Sequence, residues 1–278
     1  MGRCFRAKFQ KGGKPHTQLE QHHSGRFPGG IEAMHNTQLE QHHSGRFPGG
    51  IEAMHIFLVR LLRWLGFTIT GLVSLFMIGQ IILRIRGRLD PKPMPPRFAF
   101  YLNSAFRRRL FGSLEQIVER AGVTPGMRVL EIGPGPGHFT TLLARRVAEQ
   151  GKQGSVTCVE LQPEMIARLR QQLHREQVNN VEIVQGDAQQ LPLLSASFDM
   201  VFLATVIGEV PDMPALFSEC ARVLKPGGTL AVTEQLCDPD FRLPKTPRKL
   251  AINVGLQDMG YRGTSWWSYT ASYHKLVA

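Results

Sequence analysis

Cysteine is scarce in this chain of 278 residues: Cys4, Cys158, Cys220 and Cys237 lie far apart and form no CxxC pair. That spacing excludes a zinc ribbon, a zinc finger and a disulfide framework, and it fits a reducing compartment. No metal site is expected. Negative charge is also short, but only in one region. Lys and Arg number 33 against 22 Asp and Glu, a net charge of +11, yet residues 113–278 hold 16 basic and 17 acidic side chains. The whole excess sits in the first 112 residues. A protein that reads nucleic acid carries its positive charge on the folded domain that presents it, so no nucleic-acid partner is expected. A hydrophobic content of 42% rules out disorder throughout and suffices for one domain of roughly 150–200 residues with attachments.

The N-terminal region contains a repeat. TQLEQHHSGRFPGGIEAMH occupies residues 17–35 and recurs letter for letter at 37–55. Repeats that stack into solenoids keep their core positions and drift elsewhere, so two identical copies with little apolar content indicate a recent duplication or an upstream reading-frame artefact. Metal capture by the pairs His22, His23 and His42, His43 is the alternative, but no carboxylate or cysteine organises them. Residues 1–55 are expected to be a poorly ordered tail. Met34 and Met54 are both plausible starts.

Residues 64–83 run for twenty positions without a charge, inside a segment, 56–88, flanked by Arg60 and Arg63 on one side and Arg84, Arg86 and Arg88 on the other. A helix of this length reaches roughly 30 Å, the thickness of a bilayer hydrocarbon core. A single membrane span is expected; the alternative is a buried core helix, which is usually shorter and has a polar face. More basic residues follow the span (Arg84, Arg86, Arg88, Lys92, Arg97) than precede it, which would put the C-terminal part on the cytoplasmic side. Residues 89–112 read as a basic linker stiffened by PKPMPPR, with Arg107, Arg108 and Arg109 either meeting anionic lipid or covering a solvated helix face.

From residue 113 onward apolar strands alternate with helical periodicity. RVLEIG, SVTCVE, VEIVQGD, FDMVFLAT and GGTLAVTEQ are the strands, and the segments between them have helix length and spacing. This order predicts an α/β fold with a mostly parallel, Rossmann-like sheet covered on both faces and its ligand site at the carboxyl ends of the strands. At the first such end stands Glu131-Ile132-Gly133-Pro134-Gly135-Pro136-Gly137. Its glycines permit a sharp turn and close approach to a ligand, but their spacing departs from the dinucleotide pattern G-x-G-x-x-G. At the second, Glu160 can accept hydrogen bonds from two neighbouring ribose hydroxyls; the alternative is a surface acid.

EIGPGPG, VELQPEMI, QGDAQQLP with FDMVF, and RVLKPGG follow one another in order over about 100 residues. In this the chain resembles class I S-adenosylmethionine-dependent methyltransferases, loosely those of ubiquinone and menaquinone or of phospholipids, with the likeness covering 113–278. The resemblance implies S-adenosylmethionine as cofactor. It implies that Gly133, Pro134, Gly135 and Gly137 cradle its methionine part, with Glu131 beneath the loop fixing its shape and the amino group. It assigns Glu160 to the ribose, Leu161 to the adenine face, and Asp187 and Ala188 to the adenine edge. It also implies a last helix and a closing antiparallel hairpin in which Trp266, Trp267 and Tyr269 pack on the sheet.

The acceptor side is less legible. ATVIGEVPDMP, residues 204–214, lacks the Asn/Asp-Pro-Pro-Tyr/Phe run of enzymes that methylate amino groups of DNA bases or glutamine. Glu209 is its first acid and the candidate to orient or deprotonate an acceptor, the alternative being a solvated side chain. Asp212 reads as a helix N-cap. With Cys158 on a strand and Cys220 on a helix, the reactive thiols of arsenite methyltransferases are not expected. The expected function is an anchored methyltransferase for a lipophilic or membrane-associated small molecule. The alternatives are the same chemistry on a soluble metabolite or protein side chain, and a cofactor-binding module without turnover.

Overall fold

The computed structural model describes residues 49–95 and 112–277. The duplicated histidine pairs, Arg97 and Arg107–Arg109 lie outside the described residues. Of the first of two compact units, Met1–Arg60, only the start of helix α1 is described; the second unit is Leu61–Ala278.

Helix α1, Gly49–Leu89, is one unbroken helix. It begins inside the second copy of the repeat, ahead of the boundary expected at residue 56, because Gly49–His55 continues directly into the apolar run. It is long and apolar enough to cross a membrane, and no residue of its most apolar stretch is buried among the described residues. Trp64, Phe67, Leu72, Leu75 and Phe76 are all more than 60% exposed, which a core helix would not tolerate. Beyond Leu89 the chain is extended through Pro95.

The α/β domain opens with α2, Leu114–Ala121. Ser113 and Gln116 form a reciprocal capping box at its start, and Gly122 ends it in the left-handed conformation. Then follow β1 (Arg128–Ile132), α3 (His138–Val147), β2 (Ser155–Glu160), α4 (Pro163–Arg175), β3 (Val181–Gln185), β4 (Phe198–Ala204), α5 (Met213–Val223), β5 (Leu224–Gln235), α6 (Lys245–Asn253), β6 (Leu256–Thr264) and β7 (Ser268–Lys275). Proline at the first turn of α4, and Asp212 accepting from the Ala215 N–H at the start of α5, set those helix starts.

Seven strands form one sheet in the order β3-β2-β1-β4-β5-β7-β6. The first five are parallel; β7 runs antiparallel between β5 and β6. Parallel strands need helical crossovers, and these cover both faces, so β1 and β2 are buried almost throughout. Period-two alternation sends Leu130, Ile132, Val201 and Leu203 to a core with α5 and α6. The intervening Val129, Met200 and Phe202 go to a second core with α2, α3 and α4. The chain leaves β1 toward β2 and β3, then returns to place β4 on the other side of β1. Strand order therefore reverses between β1 and β4, and the loops leaving them part to form a crevice.

Of the three aromatics expected to pack on the sheet, Tyr269 is fully buried, whereas Trp266 is 61% exposed at the β6–β7 turn. The reason is register: Thr264 pairs with Ser268, so Trp266 belongs to the turn itself and lies over neither face.

Candidate functional site

A cavity of about 360 Å³ lies in that crevice, a size ordinary for a small-molecule site. Its floor is the glycine loop after β1. Gly133, Gly135 and Gly137 have φ of +67°, +54° and +89°, the left-handed region that disfavours every L side chain. Space imposes the same choice at two of them. A Cβ at Gly133 would lie 2.7 Å from Val206 Cγ2, and one at Gly137 would run into Leu169 Cδ1. No side chain caps the start of α3.

Two buried acids hold this loop. Glu160, 6% exposed at the end of β2, accepts from the Gly135 N–H (3.2 Å) and from the Gln162 N–H (2.9 Å), tying the first loop to the second. Beneath the loop, Glu131 accepts from the Thr140 hydroxyl at 2.6 Å and has the Cys158 thiol at 3.6 Å. Burial, against the Thr140 and Cys158 hydrogen bonds, pushes its carboxyl up to about 7. Glu131 and Gly137 do not line the cavity; they act on it through the loop they shape.

Gly133, Pro134, Gly135, Glu160, Leu161, Asp187 and Ala188 do line it. Leu161 is about half exposed at the lip. Asp187 Oδ1 accepts from the Gln189 N–H at 2.8 Å, and Gln189 Nε2 donates to both carboxylate oxygens at 3.0 Å, so this acid stands ready as an acceptor at the end of the third strand.

Glu209 is not a solvated acid. A turn from Val206 (Glu209 N–H to Val206 O, 2.9 Å) aims its carboxylate at the cavity, where it accepts from the Met94 N–H at 3.2 Å. Burial raises it to about 8, opposed by the Met94 hydrogen bond and reinforced by the charges of Asp240, Asp238 and Glu160. Gln162 Nε2 donates to the Met94 carbonyl at 3.1 Å. Pro93 and Met94, a few residues beyond the end of α1, are thus part of the cavity wall, pinned between the loop that follows β2 and the loop that follows β4.

Other lining residues have no role assigned from the sequence: Phe139 at the start of α3, Gln162 and Met165 at the start of α4, Gln189, and Gln235 at the end of β5. Thr205 is the most distinctive. A β-branched residue at φ +58°, it is held by a hydrogen bond from its N–H to Thr233 O at 2.8 Å. That conformation costs of order 1–3 kcal/mol and persists because neighbouring structure enforces it. Cys158 and Cys220 are buried and outside the cavity, and among the described residues no group of His, Cys, Asp and Glu is placed to hold a metal ion.

Charge decides what the cavity can hold. Among the described residues three carboxylates line it, Glu160, Asp187 and Glu209, and no Lys or Arg does. A pyrophosphate-bearing dinucleotide would meet like charge, whereas a ligand with cationic centres and ribose hydroxyls meets acceptors. S-adenosylmethionine, with its sulfonium and ammonium groups, fits that donor and acceptor set. Walls of Met94, Leu114, Phe139, Val210 and Pro211 make the remainder apolar.

Comparison with known proteins agrees. A family described as "Methyltransferase domain" matches residues 130–232. The ubiquinone/menaquinone biosynthesis C-methyltransferase UbiE of Shewanella halifaxensis is 36% identical over 118 residues, 42% of this chain and 46% of that protein. An arsenite methyltransferase of Halobacterium salinarum is 33% identical over 114 residues, 41% of this chain and 28% of that one. The chain therefore spans less than half the length of these curated relatives. A SAM-dependent methyltransferase structure from Aquifex aeolicus superposes with a TM-score of 0.60, covering 66% of this chain and all of that one, at 21% identity.

Proposed function

Residues 130–232 are the core of a class I S-adenosylmethionine-dependent methyltransferase domain, and from that premise we propose that the whole chain is a membrane-anchored enzyme that methylates a lipophilic, membrane-associated small molecule. The observation that carries the substrate class is the cavity wall. Its acceptor end is apolar, and part of it, Pro93 and Met94, is the segment that leaves the exposed apolar helix α1.

Bound S-adenosylmethionine supplies a methyl group already activated on sulfur. What the chain must add is position, alignment and exclusion of water. Gly133, Pro134 and Gly135 would cradle the methionine part, with Gly137 and, from below through Thr140, Glu131 keeping that loop in shape. Glu160 would take the ribose hydroxyls with the acceptor capacity left after Gly135 and Gln162. Leu161 would cover one face of the adenine, while Asp187 and the Ala188 N–H would meet its edge. Glu209 is the candidate to orient the acceptor or take its proton, since a carboxyl poised near 8 exchanges protons near neutral pH. A neighbouring sulfonium would favour its charged form.

Membranes containing the full chain, incubated with cofactor radiolabelled on the methyl group and then extracted with organic solvent, test the reading. Label is expected in the lipid extract. Label found only in water-soluble products or in protein would overturn the substrate class while leaving the methyltransferase domain intact.

A further inference from the structure

The β6–β7 turn exposes a tryptophan where the sheet has no use for one. Trp266 is 61% exposed and touches Trp267 edge to face, with ring centroids 5.6 Å apart. This turn stands at the same end of the sheet as the cavity: Gln235, the last residue of β5, pairs with Ser268 and also lines the cavity. It is also next to the end of α1. The Leu236 N–H donates to Trp267 O at 2.8 Å, and the Leu236 carbonyl accepts from the Arg84 guanidinium. A single residue, Leu236, therefore joins the tryptophan turn to the helix end, one position beyond the charge-free run.

More exposed apolar and basic groups stand at this end. Leu243, 43% exposed, follows Arg242, whose backbone donates to Glu234 Oε2 (2.9 Å) and accepts from the Tyr269 hydroxyl (2.6 Å). Lys245 and Arg262 are exposed, as are Arg86 and Arg88 on α1. Tryptophan with flanking cations is the composition of a membrane–water boundary, where the indole ring sits at headgroup level and Lys and Arg meet anionic lipid.

We propose that the Trp266 turn is a second membrane contact: together with Leu243 it inserts into the headgroup layer of the bilayer crossed by α1, so the sheet end carrying the cavity faces lipid. The proposal rests on the anchoring reading above. It adds that the domain is held at two points and is not free to swing on its linker. Two points fix the direction of the cavity mouth, and a lipophilic acceptor then reaches it without crossing water.

Trp64, Trp266 and Trp267 are the only tryptophans, so fluorescence can separate the two claims. The full chain is reconstituted in vesicles of three parts phosphatidylcholine to one part phosphatidylglycerol, with and without lipid brominated near the headgroup, in two forms. One keeps Trp266 alone (Trp64→Phe with Trp267→Phe); the other keeps Trp64 alone (Trp266→Phe with Trp267→Phe). Cofactor affinity by calorimetry confirms that each is folded. Loss of Trp266 emission to brominated lipid, with little loss to aqueous iodide, is the expected result. Trp64 quenched by lipid while Trp266 answers only to iodide would overturn the second contact and leave the anchor standing. Trp64 untouched by lipid would overturn the anchor and this proposal with it. Should either double variant fail to fold, the single change Trp266→Ser in the otherwise unaltered chain reads the same quantity. Lipid quenching must then fall relative to the parent, and unchanged quenching would sink the proposal.

Discussion

Glu160 and Glu209 are both acids facing one cavity, yet their surroundings give them different work. Glu160 accepts two backbone N–H groups and ties the first loop to the second. Replacing it with alanine should weaken S-adenosylmethionine binding by roughly tenfold or more, since hydrogen bonds to charged groups contribute about 1.5–3 kcal/mol each; isothermal calorimetry measures it, and unchanged affinity would remove Glu160 from the ribose. Glu209 has one such donor and is otherwise desolvated, so it loses its proton only near pH 8. If it accepts the acceptor's proton, turnover at saturating cofactor should rise through about pH 8 in the parent and lose that limb in Glu209→Gln. A parallel pH profile for the two proteins would show that Glu209 takes no proton. The place of Glu160 at the end of a β-strand was readable in the sequence. The environment of Glu209 was not, because its burial depends on Met94, 115 residues earlier in the chain.

At the scale of elements, the glycine loop and the helices beside it act as one unit. Gly137 starts α3 with φ +89° and lies against Leu169 of α4, so Gly137→Ala adds left-handed strain and a clash together. A stability loss of about 1–3 kcal/mol is expected from the strain alone, seen as a lower denaturation midpoint, with cofactor affinity falling as well. The repeated glycines were plain in the sequence, as was the alternation of strand and helix. The neighbour that makes Gly137 indispensable was not, because Leu169 meets it only once α4 has folded back onto β1 and β2. The three aromatics near the C-terminus teach the same lesson. All belong to one short stretch, but strand register sends Tyr269 inward and leaves Trp266 in the turn.

The whole domain carries a pH signature. Glu131 and Glu209 have folded-state values of about 7 and about 8, and Glu234, buried beneath the end of β5, is raised as well, in each case by burial first. A carboxyl raised on folding stabilises the protein while protonated, and that stability is lost as pH climbs from the ordinary carboxylate range through the folded value. Asp199 and Glu219 work in the opposite direction. Burial would raise Asp199, but hydrogen bonds from Lys225 and the Arg128 N–H outweigh it, and Arg222 lowers Glu219; their contribution is lost in acid. The cofactor-free protein should therefore melt highest at mildly acidic pH and lower as pH passes about 7 to 8. Glu131→Gln should flatten that decline, and an equally steep decline in the variant would exclude Glu131 as a source. Removing residues 1–89 should leave a soluble fragment that binds S-adenosylmethionine, since among the described residues the domain's two cores draw on nothing before Ile117. An insoluble fragment without cofactor binding would show that α1 is part of the fold.

Local physical chemistry determined what could be read directly from the residues. Alternating strands and helices specify a parallel sheet, since only crossovers can join parallel neighbours. A charge-free run of helix length specifies an apolar helix, and the resemblance carried by the ordered glycine and acid motifs implies the cofactor. Tertiary structure decided what depends on partners distant in the chain. It drew Glu209 partly out of water, built Pro93 and Met94 into the wall, and left Trp266 exposed beside the helix end. Each of these is a question of burial, and burial is a property of the packed fold that no window of sequence contains.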